Sequence, residues 1–484
     1  MAIQRNFGID FGTTNSSVVQ CVSFDGKTRR IPYGDDEGRP MPSIVAIDKA
    51  TGEVFIGREA WNKRSELAQS CECIQSVKSL LEVDGWSKFI AGKWWTAKDI
   101  AAEVFKALRN NITGNDSFEE DLKAMVAVPV GFSRSKREAI RNAAKEAGID
   151  VEGFISEPTA AFFANYNELK SEETVVIFDW GGGTLDVSVI RNSGGRISEL
   201  ATTGMPIAGD DIDERLARKV HAKVTREKGV NLSFDEMSPA ARDMLLVRAE
   251  RAKRALSEDD DTVISLNRYG DIGAFRERVS YEWFEAIIDG IVEDAISCLD
   301  RAISDAGETP ETIDRIVMVG GSSNIGPLLD KLDNRFGDKL FFPEQTVWSI
   351  SNGAAQLSQN PGRYHSSQKV GLILADDSYF PLLNPGDPIM DWSKSVDFGL
   401  VDKSTEMRVV FSGSKDIDDS EDKQQVVSMP SYRFLEEKLK VHAFVDRNSV
   451  FRVELKSSMR KQSDTVFWEY DKLKLYYSLE DCGL

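Results

Sequence analysis

Histidine and cysteine are scarce in this 484-residue chain, with three of the first and five of the second. Cys71-Glu72-Cys73 has no second pair nearby, and Cys21, Cys298 and Cys482 stand alone. Neither a disulfide framework nor a thiolate–imidazole metal site is therefore expected, and the thiols read as reduced, mostly packed groups. No apolar run approaches the roughly 18 residues that cross a bilayer, so no membrane span is expected. The first motif begins at Gly8, with no charged leader ahead of it, and the expected location is cytoplasmic. Cations are outnumbered, 60 Lys and Arg against 79 Asp and Glu, for a net charge of −19. That balance disfavours nucleic acid as a partner, because phosphate contacts need clustered cations, and solubility is the simpler reason for it. A chain of this length accommodates roughly two to four domains.

What the chain does have is glycine next to aspartate at the ends of apolar strands. Phe7-Gly8-Ile9-Asp10-Phe11-Gly12-Thr13-Thr14-Asn15 opens it, and Ile177-Phe178-Asp179-Trp180-Gly181-Gly182-Gly183-Thr184-Leu185-Asp186 repeats the arrangement in the middle. Each element runs an apolar strand into an Asp, then glycine and hydroxyl residues, then a second apolar strand. Glycines let backbone N–H groups approach phosphate oxygens, threonines add donors, and a strand-end Asp can hold a hydrated divalent cation against the same phosphates. Two such elements predict two halves of one nucleotide site in a cleft between duplicated lobes. An isolated Asp of this kind is commonly only a turn residue.

Turns at Asp25-Gly26 and Asn192-Ser193-Gly194-Gly195 give each half the same strand meander. Helical periodicity covers 97–109, 135–147, 209–226, 239–257 and 281–306, the last with Ser280 as its N-cap. Strand 316–319 runs into a third glycine-rich turn, Gly320-Gly321-Ser322-Ser323, and a helix is expected around Gly353–Leu357 before the breakers Asn360-Pro361-Gly362.

These residues resemble the seventy-kilodalton heat-shock chaperones of the DnaK type, within the actin and hexokinase superfamily. The resemblance covers about residues 5–358 and rests on the three glycine-rich turns, on Val128-Pro129 and Ser156-Glu157-Pro158-Thr159-Ala160-Ala161, and on Glu250-Arg251-Ala252-Lys253-Arg254-Ala255-Leu256-Ser257. It implies an α/β fold: a duplicated, two-lobed nucleotide-binding domain over residues 1–365, a linker over 366–380, and a β-rich, sandwich-like domain over 381–484. It implies a Mg²⁺-dependent ATPase taking ATP and ADP. Asp10, Asp179 and Asp186 would hold Mg²⁺ through water. Gly12, Thr13, Thr14, Asn15, Gly181, Gly182, Gly183, Gly209 and Asp210 would line the phosphate path. Lys78 matches the family's catalytic lysine, Glu157, Asp179 and Asp10 would position water, and Thr184 would reach the γ-phosphate. Glu250, Lys253, Arg254 and Ser257 would take the adenosine, completed by Gly320, Gly321, Ser322 and Asn324. Without the resemblance, Lys78 is an ordinary solvated lysine; Lys253 and Arg254 have a charged helix face as their competing reading, but Glu250 one turn earlier and Ser257 one turn later on the same face favour a ribose and adenine contact.

The pattern departs from the family at three places. Asn324 stands where an adenine-stacking Arg is usual, worth roughly 0.5–2 kcal/mol, Val347 where an Asp is common, and Gly131 where a Tyr adjoins the proline of the Pro129–Arg137 switch. Weaker or faster-exchanging nucleotide is the expectation. Beyond residue 365, Lys369–Asp377 reads either as a docking linker or as the first strand of the next domain. Strands are expected over 396–401, 407–412, 439–445 and 450–455, with an acidic loop over 415–423. The chain carries no stretch resembling the family's helical lid. The function expected is a DnaK-like chaperone acting on polypeptide clients or a dedicated protein partner, with a J-domain co-chaperone and a nucleotide-exchange factor as further partners. A non-hydrolysing ATP sensor on the same fold is the alternative. A sugar-type kinase lacks a motif for its acceptor site, a filament-forming relative would lack the β-domain, and Asp397-Phe398-Gly399 has no kinase context.

Overall fold

The computed structural model describes residues 6–23, 27–34, 39–81, 83, 85–113, 122–130, 132–344, 346–358, 364–401, 403, 405–412, 425–431, 436–459, 465–470 and 473–478. The turn at Asp25-Gly26, Gly131, the 360–362 breakers, the 415–423 loop and Cys482 lie outside these residues.

The first sheet contains β1 (Asn6–Phe11), β2 (Asn15–Cys21), β3 (Thr28–Ile31), β4 (Leu122–Val128) and β5 (Ile149–Ser156), in the order β5-β4-β1-β2-β3. The second contains β6 (Thr174–Trp180), β7 (Leu185–Ser193), β8 (Arg196–Met205), β9 (Arg315–Val319) and β10 (Leu340–Phe341), in the order β10-β9-β6-β7-β8. In each, an antiparallel meander is extended by parallel strands. Both sheets are covered on both faces, which is why their strands read as continuous apolar runs. Ala124, Val126 and Val128 enter one core with Phe105 and Ile140, while Val176, Phe178 and Trp180 enter another with Leu216, Leu245 and Ile288. The alternate residues Met125, Ala127, Val175 and Ile177 share a third core between the sheets. Helices α5 (Glu157–Ala164) and α10 (Ser349–Leu357) fill that space. They touch closely at Gly353, where a Cβ would stand 1.8 Å from the Ala160 carbonyl oxygen.

Helices expected from periodicity are present as α3 (Ala97–Thr113), α4 (Arg134–Glu146), α6 (Gly209–Lys228), α7 (Pro239–Ala255) and α8 (Tyr281–Asp305). Ser280 caps the last by accepting from Trp283 N–H. Helices α1 (Gly57–Ser70), α2 (Val77–Leu80) and α9 (Gly326–Phe336) complete the set used below.

The downstream region forms two four-stranded antiparallel sheets. One has the order Tyr379–Leu383, Val370–Ile373, Glu406–Ser412, Gln425–Pro430, and the other Ser393–Gly399, Lys438–Val445, Phe451–Ser457, Val466–Tyr470. They share one core, in which the Phe411 and Trp468 rings stack at 4.1 Å. Of the two readings of 369–377, the structure has a strand: Val370–Ile373 pairs on both edges, and Val370 and Leu372 are buried in that core. A four-residue apolar run satisfies its backbone groups by joining a sheet wherever two edges accept it.

Strand β11 (Tyr364–Ser366) pairs with β12 (Leu475–Ser478), and β12 pairs with β8 at Arg196–Ser198. The second sheet thus has seven strands, and the β-domain leaves and re-enters it at one edge. Arg141 on α4 reinforces the junction through Asn448 Oδ1 at 2.9 Å and the Arg447 carbonyl, and Arg134 pairs with Glu469. Among the described residues, no helix is long and apolar enough to cross a membrane.

Candidate functional site

The glycine-rich turns meet in one cleft of about 390 Å³. The β1–β2 hairpin sets Asp10 opposite Ser17, and the β6–β7 hairpin sets Asp179 opposite Asp186. The third turn follows β9, parallel to β6, and brings Gly320, Gly321 and Ser322 to the same rim. Ser322 Oγ donates to the Gly181 carbonyl at 2.7 Å, tying two turns together. A Cβ on Gly182 would fall 1.9 Å from Thr14 Oγ1. That hydroxyl is itself buried with no hydrogen-bond partner among the described residues, so the two loops close on each other with a donor to spare.

Lys78 arrives on α2, a single turn entered through Ser76 at φ 52°. A serine held in the left-handed region carries strain of about 1 kcal/mol or more, the sort that collects at functional sites. The Lys78 ammonium pairs with Glu157, the first residue of α5, and both side chains are about nine-tenths buried. Burial alone would depress Lys78, but Glu157, Asp10 and Asp186 around it hold it above its usual value. Burial raises Asp10 to about 7, with Glu157 adding to the effect and Lys78 opposing it. Asp179 is pushed well above the carboxylate range by burial first, then by Glu157, Asp186 and Asp10. Four carboxylates thus crowd one lysine, a charge excess that a cation would relieve.

The outer wall comes from α6 and α7. Lys253 donates to the Gly209 carbonyl at 2.9 Å and pairs with Asp213 at 2.7 Å, while Arg254 pairs with Glu250. Burial lifts Asp213 to about 7 and Asp210 to about 6, outweighing the nearby Lys253.

Of the residues expected from sequence, the cleft brings together Asp10, Gly12, Thr13, Thr14, Asn15, Lys78, Glu157, Asp179, Gly181, Gly182, Gly183, Thr184, Asp186, Asp210, Glu250, Lys253, Arg254, Gly320, Gly321 and Ser322. Gly209 abuts it through the Lys253 bond, and its N–H donates to the Gly181 carbonyl at 3.2 Å. Ser257 and Asn324 do not line it. Ser257 follows the end of α7 and bonds back to the Lys253 carbonyl at 3.5 Å, whereas Asn324 closes the short turn Gly321–Asn324. Val347 does line it. Sequence reasoning missed Asp213. The spacing Asp210–Asp213, one helical turn on a face toward a Lys, was the available signal.

The donors fit a magnesium nucleotide. Glycine-walled loops leave room for phosphates, and the acids Asp10, Asp179 and Asp186 stand at strand ends. Among the described residues no three acidic, thiol or imidazole groups converge as direct metal ligands. Two sheets of like strand order with a glycine-walled, acid-floored cleft between them define an ATP-binding domain of the actin and hexokinase class. The chain belongs to the Hsp70 family: the family model described as Hsp70 protein matches residues 83–356, more than half of it. Asp10 and Lys78 precede the matched stretch, yet the fold delivers both to the same cleft. Hsp70 proteins are ATP-binding chaperones, and that general function extends to this chain.

Proposed function

We propose that this protein binds Mg²⁺–ATP between duplicated lobes and hydrolyses it, using the turnover to govern its hold on a polypeptide. The observation that carries this reading is the buried Lys78–Glu157 pair beside Asp10 and Asp179. Lys78 is an immobile positive charge where negative charge would develop on the γ-phosphoryl, and such preorganised groups are worth about 3 kcal/mol or more. Glu157 holds Lys78 and, with Asp179 and Asp10, orients the attacking water. Thr14, with its spare hydroxyl, and Gly182 and Gly183 hold the phosphates, while Thr184 Oγ1, bonded to Asp186 at 3.0 Å, reaches toward the γ-position. Glu250, Lys253 and Arg254 take the nucleoside side. Bound Mg²⁺, gripped through water by Asp10, Asp179 and Asp186, would supply charge neutralisation for the phosphates.

The client side belongs to the β-domain. A groove of about 700 Å³ between its sheets is lined by Leu372, Leu374, Phe398, Leu400, Met407 and Leu439, with the exposed Val401 at its lip. An extended apolar segment of a client or dedicated partner fits that lining, and a J-domain co-chaperone and exchange factor complete a cytoplasmic cycle. Single-turnover hydrolysis with Mg²⁺ tests the reading. Tight binding without turnover would instead leave a nucleotide sensor.

A further inference from the structure

Glu199 lies on β8 between the cleft and the β-domain junction. Opposite β7 the register runs Val189–Ala201 and then Ile190–Glu199, so Leu200 is an extra residue on β8. A bulge of this kind re-aims the neighbouring side chain. Glu199 accepts from Thr159 Oγ1 at 2.6 Å and from Ser156 Oγ. Ser156 is the N-cap of α5 and accepts from Thr159 N–H at 3.3 Å, so one carboxylate braces the cap and the first turn together. The next residue after that cap is Glu157, partner of Lys78.

The same cap is flanked from the other side. The Tyr364 side chain on β11 sits beside Ser156 and Glu199, and its ring meets Tyr477 of β12 edge-on at 5.3 Å. Tyr477 in turn packs against Phe163 of α5 at 4.9 Å and is 1 % exposed. A continuous path therefore joins the strand pair at the foot of the β-domain to the residue that holds the catalytic lysine. It runs through hydrogen bonds and ring contacts with no solvent-exposed step at Tyr477.

We propose that Glu199 is a positioning residue for hydrolysis: by bracing Ser156 and Thr159 it sets where α5 presents Glu157 to Lys78, and through Tyr364 it makes that setting depend on the β11–β12 pair. This rests on the reading of Lys78 and Glu157 as the hydrolytic pair. A carboxylate at a helix start also suits the helix dipole, so a purely stabilising role is the competing account, and the test separates the two.

In the full chain, Glu199→Ala is expected to slow single-turnover hydrolysis about tenfold, as small misplacements of catalytic groups do, while ATP affinity stays within about twofold. Glu199→Gln keeps an oxygen acceptor and is expected to recover most of the rate. Tyr364→Phe keeps the ring but removes the hydroxyl beside Ser156 and Glu199; it should slow hydrolysis in the same direction, and combining it with Glu199→Ala should add less than the sum, because both act at the α5 cap. Hydrogen exchange at the amides of Glu157, Thr159 and Ala160 should rise in Glu199→Ala and in Tyr477→Ala. Unchanged rate and exchange in Glu199→Ala would overturn the proposal. So would a slow variant that glutamine does not rescue and whose melting temperature falls in proportion, since that marks stabilisation alone. If the wild-type chain binds ATP without turnover, the hydrolytic reading fails, and exchange at the same amides in Tyr477→Ala still decides whether the path couples the strand pair to α5.

Discussion

The hairpins β1–β2 and β6–β7 have the same register across the turn, yet they spend the facing position differently. Opposite Asp10 stands Ser17, which also lines the cleft but commits its hydroxyl to α10, donating to Ser351 Oγ at 2.8 Å. Opposite Asp179 stands Asp186, which faces the cleft. One backbone design thus anchors a helix on one side and supplies charge on the other. The asymmetry has a physical reason: Lys78 and Glu157 already form a buried pair here, and a further carboxylate at position 17 would be desolvated with no cation to meet it.

Removing the lysine tests the charged side most severely. Lys78→Met is expected to lower single-turnover hydrolysis by about 10²–10³-fold, the loss typical of a fixed electrostatic group, with ATP binding retained in calorimetry. Forcing the first hairpin to imitate the second is the next largest change. Ser17→Asp should destabilise the chain by about 3 kcal/mol, read from urea unfolding, because a buried charge goes unpaired. The opposite exchange, Asp186→Ser, should leave the fold intact and raise the Mg²⁺ concentration needed for nucleotide binding by about 10–100-fold.

Asp213 sharpens the comparison through pH. Its folded value, about 7, lies above that of an unfolded carboxyl, so its contribution to stability is full below the unfolded pKa and fades as pH rises through 7. The nucleotide-free wild type should therefore lose unfolding free energy between pH 5 and 8, on the order of 1 kcal/mol or more and visible as a falling melting temperature, and Asp213→Asn should show a flatter profile whatever its absolute stability. The smallest effect falls outside the cleft: Ser257→Ala should change ATP affinity less than about twofold, against a several-fold loss for Glu250→Ala, since Ser257 only bonds its own helix end.

Much of the nucleotide domain was legible because its signals are local. Gly182 and Asp179 announce themselves within ten residues, and α8 carries both its period and its cap in one stretch. Asp213 escaped because an acid on a helix face looks solvated until a partner from another helix covers it. The segment from Val370 was ambiguous for a different reason: a short apolar run closing in acids looks the same whether it docks or pairs, and its sheet neighbour Phe411 lies far along the chain. Strand β12 was invisible, since Leu475–Ser478 gains its identity from Tyr364–Ser366 and Arg196–Ser198, both far upstream.

That strand also sets how the molecule would yield to force. Both connections to the β-domain leave from the Ser366–Leu475 end of the β11–β12 pair, so the domain sits like a loop on a two-stranded stem. A pull on the domain loads the contact between β12 and β8 from one end, at Tyr476 and Ser198, and opens it by peeling one pair at a time instead of shearing all of them together. Peeling needs little tension, and the first pairs to part lie beside Glu199. A client under tension, such as a chain being drawn from an aggregate, would then transmit strain to the sheet edge well before the β-domain itself came apart.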